Sequence, residues 1–184
     1  MEYRDLGRTG VKVSPLCLGA DNFANPTPEA ESIEIINCAL DAGINLIDTS
    51  NSYASGQCEK IIGQALAQNG RRNEVIISTK VHYPTGPGPN DRGNSRLHLM
   101  RACEDSLLRL QTDRIDLYQL HAVPHKWAMP AVMETLEALK QEGKVRWYGI
   151  SINDRTAIDK LRALGPIDVL QIGYNLIERD ADEL

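Results

Sequence analysis

Three titratable side chains end strand-like runs at widely separated points of the sequence, and a tyrosine follows the first of them. Asp48, Lys80 and His121 each come directly after an apolar run, and Tyr53 stands five positions beyond Asp48 in a polar loop. If the runs form neighbouring parallel strands, their carboxyl ends meet on one face of the fold. A carboxylate, an ammonium, an imidazole and a phenol would then share one site.

The chemistry of these four groups is that of a proton donor. A phenol holds its proton at neutral pH, and a nearby ammonium stabilises the phenolate that remains after donation. Asp48 can pair with Lys80 and hold it in place, while His121 can orient a carbonyl oxygen. The set has no strong nucleophile with an adjacent base, so it supplies acid catalysis to a carbonyl that another group attacks. A hydride from a reduced nicotinamide is the natural candidate for that attack.

Each residue alone also has an ordinary structural interpretation. Asp48 precedes Thr-Ser-Asn and suits a turn or helix cap, and Tyr53 suits packing or the surface. A lone Lys80 at a strand end suits solvent, and a lone His121 before Ala-Val-Pro suits a structural role. The joint occurrence of three strand ends and one loop on a single face favours the functional interpretation.

A repeating unit positions these residues: a helical pattern, then a glycine stop, then a run rich in β-branched residues. A polar hairpin is predicted over residues 2–13. The predicted helices span 28–42, 57–68, 95–110, 130–141 and 155–163. The predicted strands span 16–19, 44–47, 75–79, 115–120, 145–150 and 169–172.

Strict alternation of strands and helices predicts an α/β fold with a parallel sheet. A doubly wound nucleotide-binding sheet should carry G-x-G-x-x-G after its first strand, and Leu18-Gly19-Ala20-Asp21-Asn22-Phe23 lacks it. The sequence therefore predicts a (β/α)₈ TIM-barrel type, here an incomplete barrel of about six βα units preceded by an N-terminal β-hairpin.

The expected domain is a single barrel-like unit over residues 1–184, truncated before strands seven and eight. A complete barrel takes about 250 residues. An arc of six strands leaves two open edges, which invite pairing. We therefore expect either a part of a longer protein or association, for instance into a homo-oligomer.

Composition excludes several classes of partner. The 184 residues are 42% hydrophobic and carry a net charge of −5 without a Lys/Arg cluster, so nucleic acid is not expected to bind. No apolar run is long enough for a membrane span, and the polar N-terminus is no signal peptide. The four cysteines form no C-x-x-C or zinc spacing, which predicts no metal site and a reducing compartment, the cytoplasm.

Several ordered motifs resemble the aldo-keto reductase family across essentially the whole chain. They are Tyr3-Arg4-Asp5-Leu6-Gly7-Arg8-Thr9-Gly10, Val13-Ser14-Pro15-Leu16, Leu18-Gly19, Ala42-Gly43-Ile44-Asn45-Leu46-Ile47-Asp48-Thr49-Ser50-Asn51-Ser52-Tyr53, Ser78-Thr79-Lys80, Asp116-Leu117-Tyr118-Gln119-Leu120-His121, Gly149-Ile150-Ser151 and Gln171-Ile172-Gly173-Tyr174-Asn175.

The resemblance implies a (β/α)₈ barrel and NADPH-dependent reduction of a small aldehyde or ketone to an alcohol. It implies that Tyr53 is the general acid, that Lys80 and Asp48 tune it, and that His121 positions the carbonyl. The cofactor contacts that it implies are Gly19, Ala20, Asp48, Ser151 and Gln171. One departure is Ile152, which stands where many members have an amide; strand alternation predicts that Asn153 points elsewhere.

A long loop rich in glycine and proline, residues 82–95, follows Lys80. It suits a flexible surface connection and a substrate wall about equally well. Phe23, His82 and Trp127 are the residues predicted to line a substrate pocket, although Trp127 also suits ordinary packing.

Two other functions compete with the reductase. One is a binding or regulatory subunit of the aldo-keto reductase fold, like the potassium-channel β subunits. The other is a non-redox lyase or isomerase that retains the acid–base set.

Overall fold

The structure, a computed structural model, describes residues 1–122 and 128–179. The chain begins with a short antiparallel hairpin of strands β1 (Arg4–Asp5) and β2 (Lys12–Val13), in which Arg4 lies opposite Val13. The predicted N-terminal hairpin is therefore confirmed.

Six parallel strands then alternate with five α-helices in the described part of the chain. The strands are β3 (Leu18–Gly19), β4 (Leu46–Asp48), β5 (Ile76–Val81), β6 (Ile115–Leu120), β7 (Val145–Ser151) and β8 (Val169–Gln171). The helices are α1 (Glu29–Asp41), α2 (Gln57–Asn69), α3 (Arg96–Arg109), α4 (Met129–Gln141) and α5 (Arg155–Leu164), with short 3₁₀ helices at Tyr53–Gly56 and Arg72–Glu74.

The strands lie in the sheet in chain order, from β3 to β8. Each strand is hydrogen-bonded in parallel to the next, and a helix covers each connection from β3 onward. The sheet is curled into a half-barrel. This confirms the α/β class and the incomplete (β/α)₈ barrel of about six units.

Helix boundaries follow from capping residues. The Ser95 hydroxyl accepts a hydrogen bond from His98 N at 3.2 Å and begins α3, and the Asp154 carboxylate accepts one from Ala157 N at 3.0 Å and begins α5. Helix α2 ends at Gly70, whose φ of +71° lies in the left-handed region that favours glycine. Ser95 and Asp154 therefore end the loops that leave the carboxyl ends of β5 and β7, and Gly70 begins the loop that leads to the amino end of β5.

Side chains alternate between the two faces of the sheet, as they must in extended strands. On the outer face the Tyr118 hydroxyl donates to Leu99 O of α3 at 3.3 Å, and apolar strand residues pack against the helices. On the inner face Ser78, Leu117 and Gln119 line an open cavity of about 310 Å³. The inner face therefore carries the polar side chains of Ser78 and Gln119 close to the strand ends.

None of the helices in residues 1–122 and 128–179 combines the length and the apolar character that a membrane crossing requires.

The packing of α2 on the end of α3 gives a stability prediction. A Cβ on Gly63 would lie 2.6 Å from the Arg109 carbonyl oxygen, so Gly63→Ala forces two helices apart. We expect it to lower the free energy of unfolding by about 1–3 kcal/mol, measured by urea denaturation. Gly19→Ala is the matched control, because nothing lies within 4 Å of its Cβ position. Equal stability of the two variants would contradict this packing.

Candidate active site

The three predicted strand ends meet at the carboxyl edge of the sheet. Asp48 is the last residue of β4, Lys80 is the penultimate residue of β5, and His121 follows β6 directly. Asp48 is in register with Ser78, and Lys80 is in register with Gln119, so the side chains stand on adjacent strands. The parallel sheet therefore brings together residues that are far apart in sequence.

The ammonium of Lys80 is buried and paired. Its side chain is only 1% exposed, and its Nζ forms an ion pair with the Asp48 carboxylate and donates to Thr49 O at 3.0 Å. The other Asp48 oxygen accepts from the Ser78 hydroxyl at 2.7 Å. A buried charge requires a partner of this kind, because leaving it alone costs several kcal/mol. The pair fixes the position of the positive charge.

Tyr53 lies next to that charge. Its hydroxyl is 3.4 Å from Lys80 Nζ, and Nζ is 5.1 Å from the centroid of its ring. The tyrosine begins the 3₁₀ helix Tyr53–Gly56, in which Ala54 and Ser55 have φ of 44° and 55°. Such left-handed residues are costly for side chains other than glycine, so the surrounding packing must hold the turn.

An ion pair outside the barrel holds that turn against β5. A Cβ on Gly56 would lie 2.8 Å from Arg109 Cδ, so the arginine side chain lies directly across this glycine. Arg109 Nε donates to the Glu59 carboxylate at 2.6 Å, and the Thr79 hydroxyl donates to the same carboxylate at 2.6 Å. Thr79 precedes Lys80 in β5. The turn that carries Tyr53 is thus tied to the strand that carries the ammonium.

The ring of His121 is packed edge-on between two aromatic rings. Its centroid lies 5.8 Å from that of Tyr53 and 5.0 Å from that of Tyr83. Burial, followed by the positive charge of Lys80, lowers the pKa of His121 from 6.5 to about 4. The imidazole is therefore neutral at pH 7. A neutral ring can donate one hydrogen bond and accept another.

An open cavity of about 600 Å³ lies beside His121. Ser151, at the end of β7, and Gln171, at the end of β8, are in register and both line it. Gln171 Nε2 donates to Asp48 at 3.2 Å, and its Oε1 accepts from Gln119 at 2.9 Å. The hydroxyl and amide groups of Ser151 and Gln171 suit a primary carboxamide such as that of a nicotinamide.

Asn153 also lines this cavity, which differs from the expectation that it points elsewhere. The strand alternation on which that expectation depended ends at Ser151, where β7 ends. Beyond it the chain turns toward α5, and Asn153 Oδ1 accepts from Gly173 N at 2.8 Å. Ile152 lies at the same cavity wall.

The remaining predicted contact residues lie at different depths. Gly19 is in register with Asp48, and Ala20 N donates to Asp48 O at 2.9 Å, so both lie beside the site. Phe23 is 3% exposed and packs in the hydrophobic core, away from solvent. His82 bonds Asn94 through Nδ1 at 2.9 Å and packs edge-on against Tyr83. Trp127 lies outside the described residues.

Sequence reasoning missed four residues that contact the predicted ones: Ser50, Ser78, Gln119 and Tyr83. Ser78 and Gln119 precede Lys80 and His121 by two positions, so the period of two along a strand would have indicated that they face inward. Tyr83 lines the large cavity and touches His121. Ser50 Oγ lies 3.3 Å from His121 Nδ1, and no sequence signal indicates this contact.

The fold is thus a (β/α) half-barrel with a carboxylate, an ammonium, a phenol and an imidazole at its carboxyl mouth, and sequence comparison identifies its family. Residues 15–184 match the family model described as the aldo/keto reductase family. The chain belongs to the aldo/keto reductase family.

Three relatives illustrate the likeness. An uncharacterized oxidoreductase of Bacillus subtilis (strain 168), YrpG, is 40% identical over 99% of this chain and 60% of its own length. A probable voltage-gated potassium channel subunit beta of Arabidopsis thaliana is 37% identical over 97% of this chain and 57% of its own length. The holo form of the aldo-keto reductase AKR11C1 from Bacillus halodurans superposes with a TM-score of 0.90 at 35% identity, over 100% of this chain and 61% of that chain. The chain spans about three-fifths of the length of these relatives.

The environment of His121 predicts an unusual titration. We expect its ring resonances in an NMR pH titration to move with a midpoint near pH 4, not near 6.5. Between these values the unfolded chain binds a proton that the folded chain does not, so stability should fall as the pH falls from 6.5 toward 4. His121→Gln assigns the resonance and should reduce that pH dependence. A midpoint at pH 6 or above would contradict the conclusion that the ring is buried beside the positive charge of Lys80.

Proposed function

We propose that this protein is an NADPH-dependent oxidoreductase that reduces an aldehyde or ketone to an alcohol, with Tyr53 as the general acid. One observation carries the proposal: the Tyr53 hydroxyl lies 3.4 Å from a buried, carboxylate-paired ammonium, beside a neutral imidazole. The site therefore has a phenol that can donate its proton close to a cavity, and an ammonium that stabilises the phenolate left after donation. Membership of the aldo/keto reductase family supports it.

The proton moves from the Tyr53 hydroxyl to the carbonyl oxygen of the substrate as that oxygen becomes an alkoxide. Lys80 stabilises the phenolate that remains, because its ammonium is held within reach of the phenol oxygen. Asp48 keeps the ammonium there and prevents it from turning toward solvent. Tyr53 therefore donates the proton, Lys80 stabilises the phenolate, and Asp48 holds Lys80 in place.

His121 positions the carbonyl. Its ring borders the cavity and is clamped between Tyr53 and Tyr83, so a hydrogen bond from it has a fixed direction. A fixed dipole aimed at a developing oxyanion stabilises the transition state without having to reorganise. The substrate oxygen would lie between this ring and the Tyr53 hydroxyl.

The residues present fit the nicotinamide end of a dinucleotide. When bound, the reduced nicotinamide supplies the hydride. Ser151 and Gln171 would hold its carboxamide, and Gln171 would give up its hydrogen bonds to Gln119 and Asp48 in order to do so. Gly19 and Ala20 would line the nicotinamide ring beside Asp48. The likeness to the holo form of AKR11C1 supports the binding of a cofactor.

The proposed substrate is a small carbonyl compound in the cavity of about 600 Å³, with Tyr83 on its wall and His82 packed edge-on behind Tyr83. A cytoplasmic location is supported by the four cysteines, all of which are free. We also propose that the protein forms a homo-oligomer. The support for this is that β3 and β8 are the outermost strands of the described sheet, and exposed strand edges favour pairing with another chain.

A binding or regulatory subunit is the second candidate, and the likeness to a potassium channel subunit beta favours it specifically. The acid–base set does not distinguish the two, because a regulatory subunit can retain it. A protein of that kind would bind NADPH yet turn over none of a panel of simple aldehydes. A lyase or isomerase would turn over its substrate without a nicotinamide.

Replacing the proposed acid separates these candidates. In the product of the complete open reading frame, Tyr53→Phe should lower kcat for aldehyde reduction by about 10²-fold or more, because general acid catalysis is worth that much. NADPH affinity, measured by fluorescence titration, should change little. The measurement is NADPH oxidation across a panel of aldehydes and ketones.

Tyr3→Phe is the matched control. Its hydroxyl donates to Gly43 O at 3.0 Å, before β4 begins and therefore at the opposite end of the barrel. Equal turnover by the wild type and Tyr53→Phe would refute the assigned acid. Binding of NADPH without turnover in the wild type would favour the regulatory subunit.

A further inference from the structure

A buried serine hydroxyl contacts the nitrogen of His121 that the proposed reaction does not use. Ser50 is fully buried, and its Oγ lies 3.3 Å from His121 Nδ1. The backbone fixes this contact from both sides, because Ser50 follows β4 by two residues and His121 N donates to Val81 O of β5 at 3.0 Å. A neutral imidazole carries its proton on one nitrogen only, so this neighbour affects which nitrogen that is.

Counting the bonds of the Ser50 hydroxyl indicates where its proton lies. The oxygen accepts from Ser52 N at 3.3 Å and lies 3.0 Å from Ser52 Oγ. A second acceptor within reach is Lys80 O, which lies farther away at 3.5 Å and also accepts from Asn51 N at 3.1 Å. Ser52 N occupies one lone pair of Ser50 Oγ; when the Ser52 hydroxyl donates to the other, the Ser50 hydroxyl is left to donate its own proton to the ring nitrogen of His121.

We propose that Ser50 is a positioning residue whose hydroxyl donates to His121 Nδ1 and holds the ring as the tautomer protonated at Nε2. This inference rests on the proposed reductase function. The nitrogen opposite Ser50 then presents an N–H donor, not a lone pair, to the carbonyl oxygen in the cavity. A donor stabilises the negative charge that develops on that oxygen, and a lone pair would repel it.

The alternative tautomer, protonated at Nδ1, gives a less favourable set of hydrogen bonds between His121, Ser50 and Ser52. A proton on Nδ1 would need a lone pair of Ser50 Oγ in addition to the contacts from Ser52. The hydroxyl proton would then turn to Ser52 or to the longer contact with Lys80 O. Nε2 would be left as an acceptor beside the substrate oxygen, where it cannot assist reduction.

The direct test reads the tautomer without any catalysis. Two-bond ¹H–¹⁵N correlation spectra of the ¹⁵N-labelled protein at pH 7 distinguish protonated from unprotonated imidazole nitrogens. We expect His121 to show an unprotonated Nδ1 and a protonated Nε2 in the wild type. A protonated Nδ1, or an equal mixture of the two forms, would overturn the proposal.

Variants test whether Ser50 is the cause. Ser50→Ala should shift the ring toward a tautomer mixture, and Ser50→Thr, which retains the hydroxyl, should restore the wild-type spectrum. Ser32→Ala is the matched control, because Ser32 is equally buried and its hydroxyl donates to the backbone at Thr27 O and Pro28 O, away from His121. An unchanged His121 spectrum in Ser50→Ala would overturn the assignment even if the variant is active.

Kinetics link the tautomer to the reaction. Ser50→Ala should lower kcat about two- to tenfold, the range expected for the loss of one hydrogen bond, in proportion to the Nε2-protonated population that NMR measures. A drop in kcat with no tautomer change would overturn the inference. Conversely, an inactive wild type that shows the Nε2 proton, lost in Ser50→Ala, would support the role of Ser50 while refuting the reductase.

Discussion

The buried ion pair between Lys80 and Asp48 is the interaction on which the rest of the site depends. Lys80 is 1% exposed, and a lone ammonium at that depth would destabilise the fold. The carboxylate of Asp48 compensates it, and the Ser78 hydroxyl and the Gln171 amide orient that carboxylate in turn. Because the two charges come from adjacent parallel strands, the register of the sheet sets their separation. The same register places Gln119 of β6, and His121 directly after that strand, beside the ion pair.

The phenol is held near this charge by packing outside the barrel. The turn that carries Tyr53 contains left-handed residues, and Arg109, which lies across Gly56 and pairs with Glu59, packs against it. Glu59 is buried and also accepts from Thr79, the neighbour of Lys80. Helices α2 and α3 therefore do more than cover the sheet: through this polar link they set the distance between the hydroxyl of Tyr53 and the ammonium of Lys80.

Much of this arrangement could be predicted from the sequence because the signals are local. Helical spacing, glycine stops and short β-branched runs indicated the five α-helices and six parallel strands of the described residues, and parallel strands oblige their carboxyl ends to meet. What could not be predicted depends on the path of loops. The hydroxyl of Ser50 reaches His121 only because of how the chain leaves β4, and Asn153 faces the cavity because β7 ends at Ser151. Phe23 is buried because its loop folds back onto the core.

The most direct test of the account compares the free energies of unfolding of Asp48→Asn and the double variant Asp48→Asn/Lys80→Met. The asparagine can still accept from Ser78, but it leaves the buried ammonium without a counter-charge, which should cost about 3–5 kcal/mol. Removing the ammonium as well should recover part of that loss, so the double variant is predicted to be more stable than Asp48→Asn alone. Additive losses, with the double variant the less stable of the two, would contradict the claim that this ion pair organises the site.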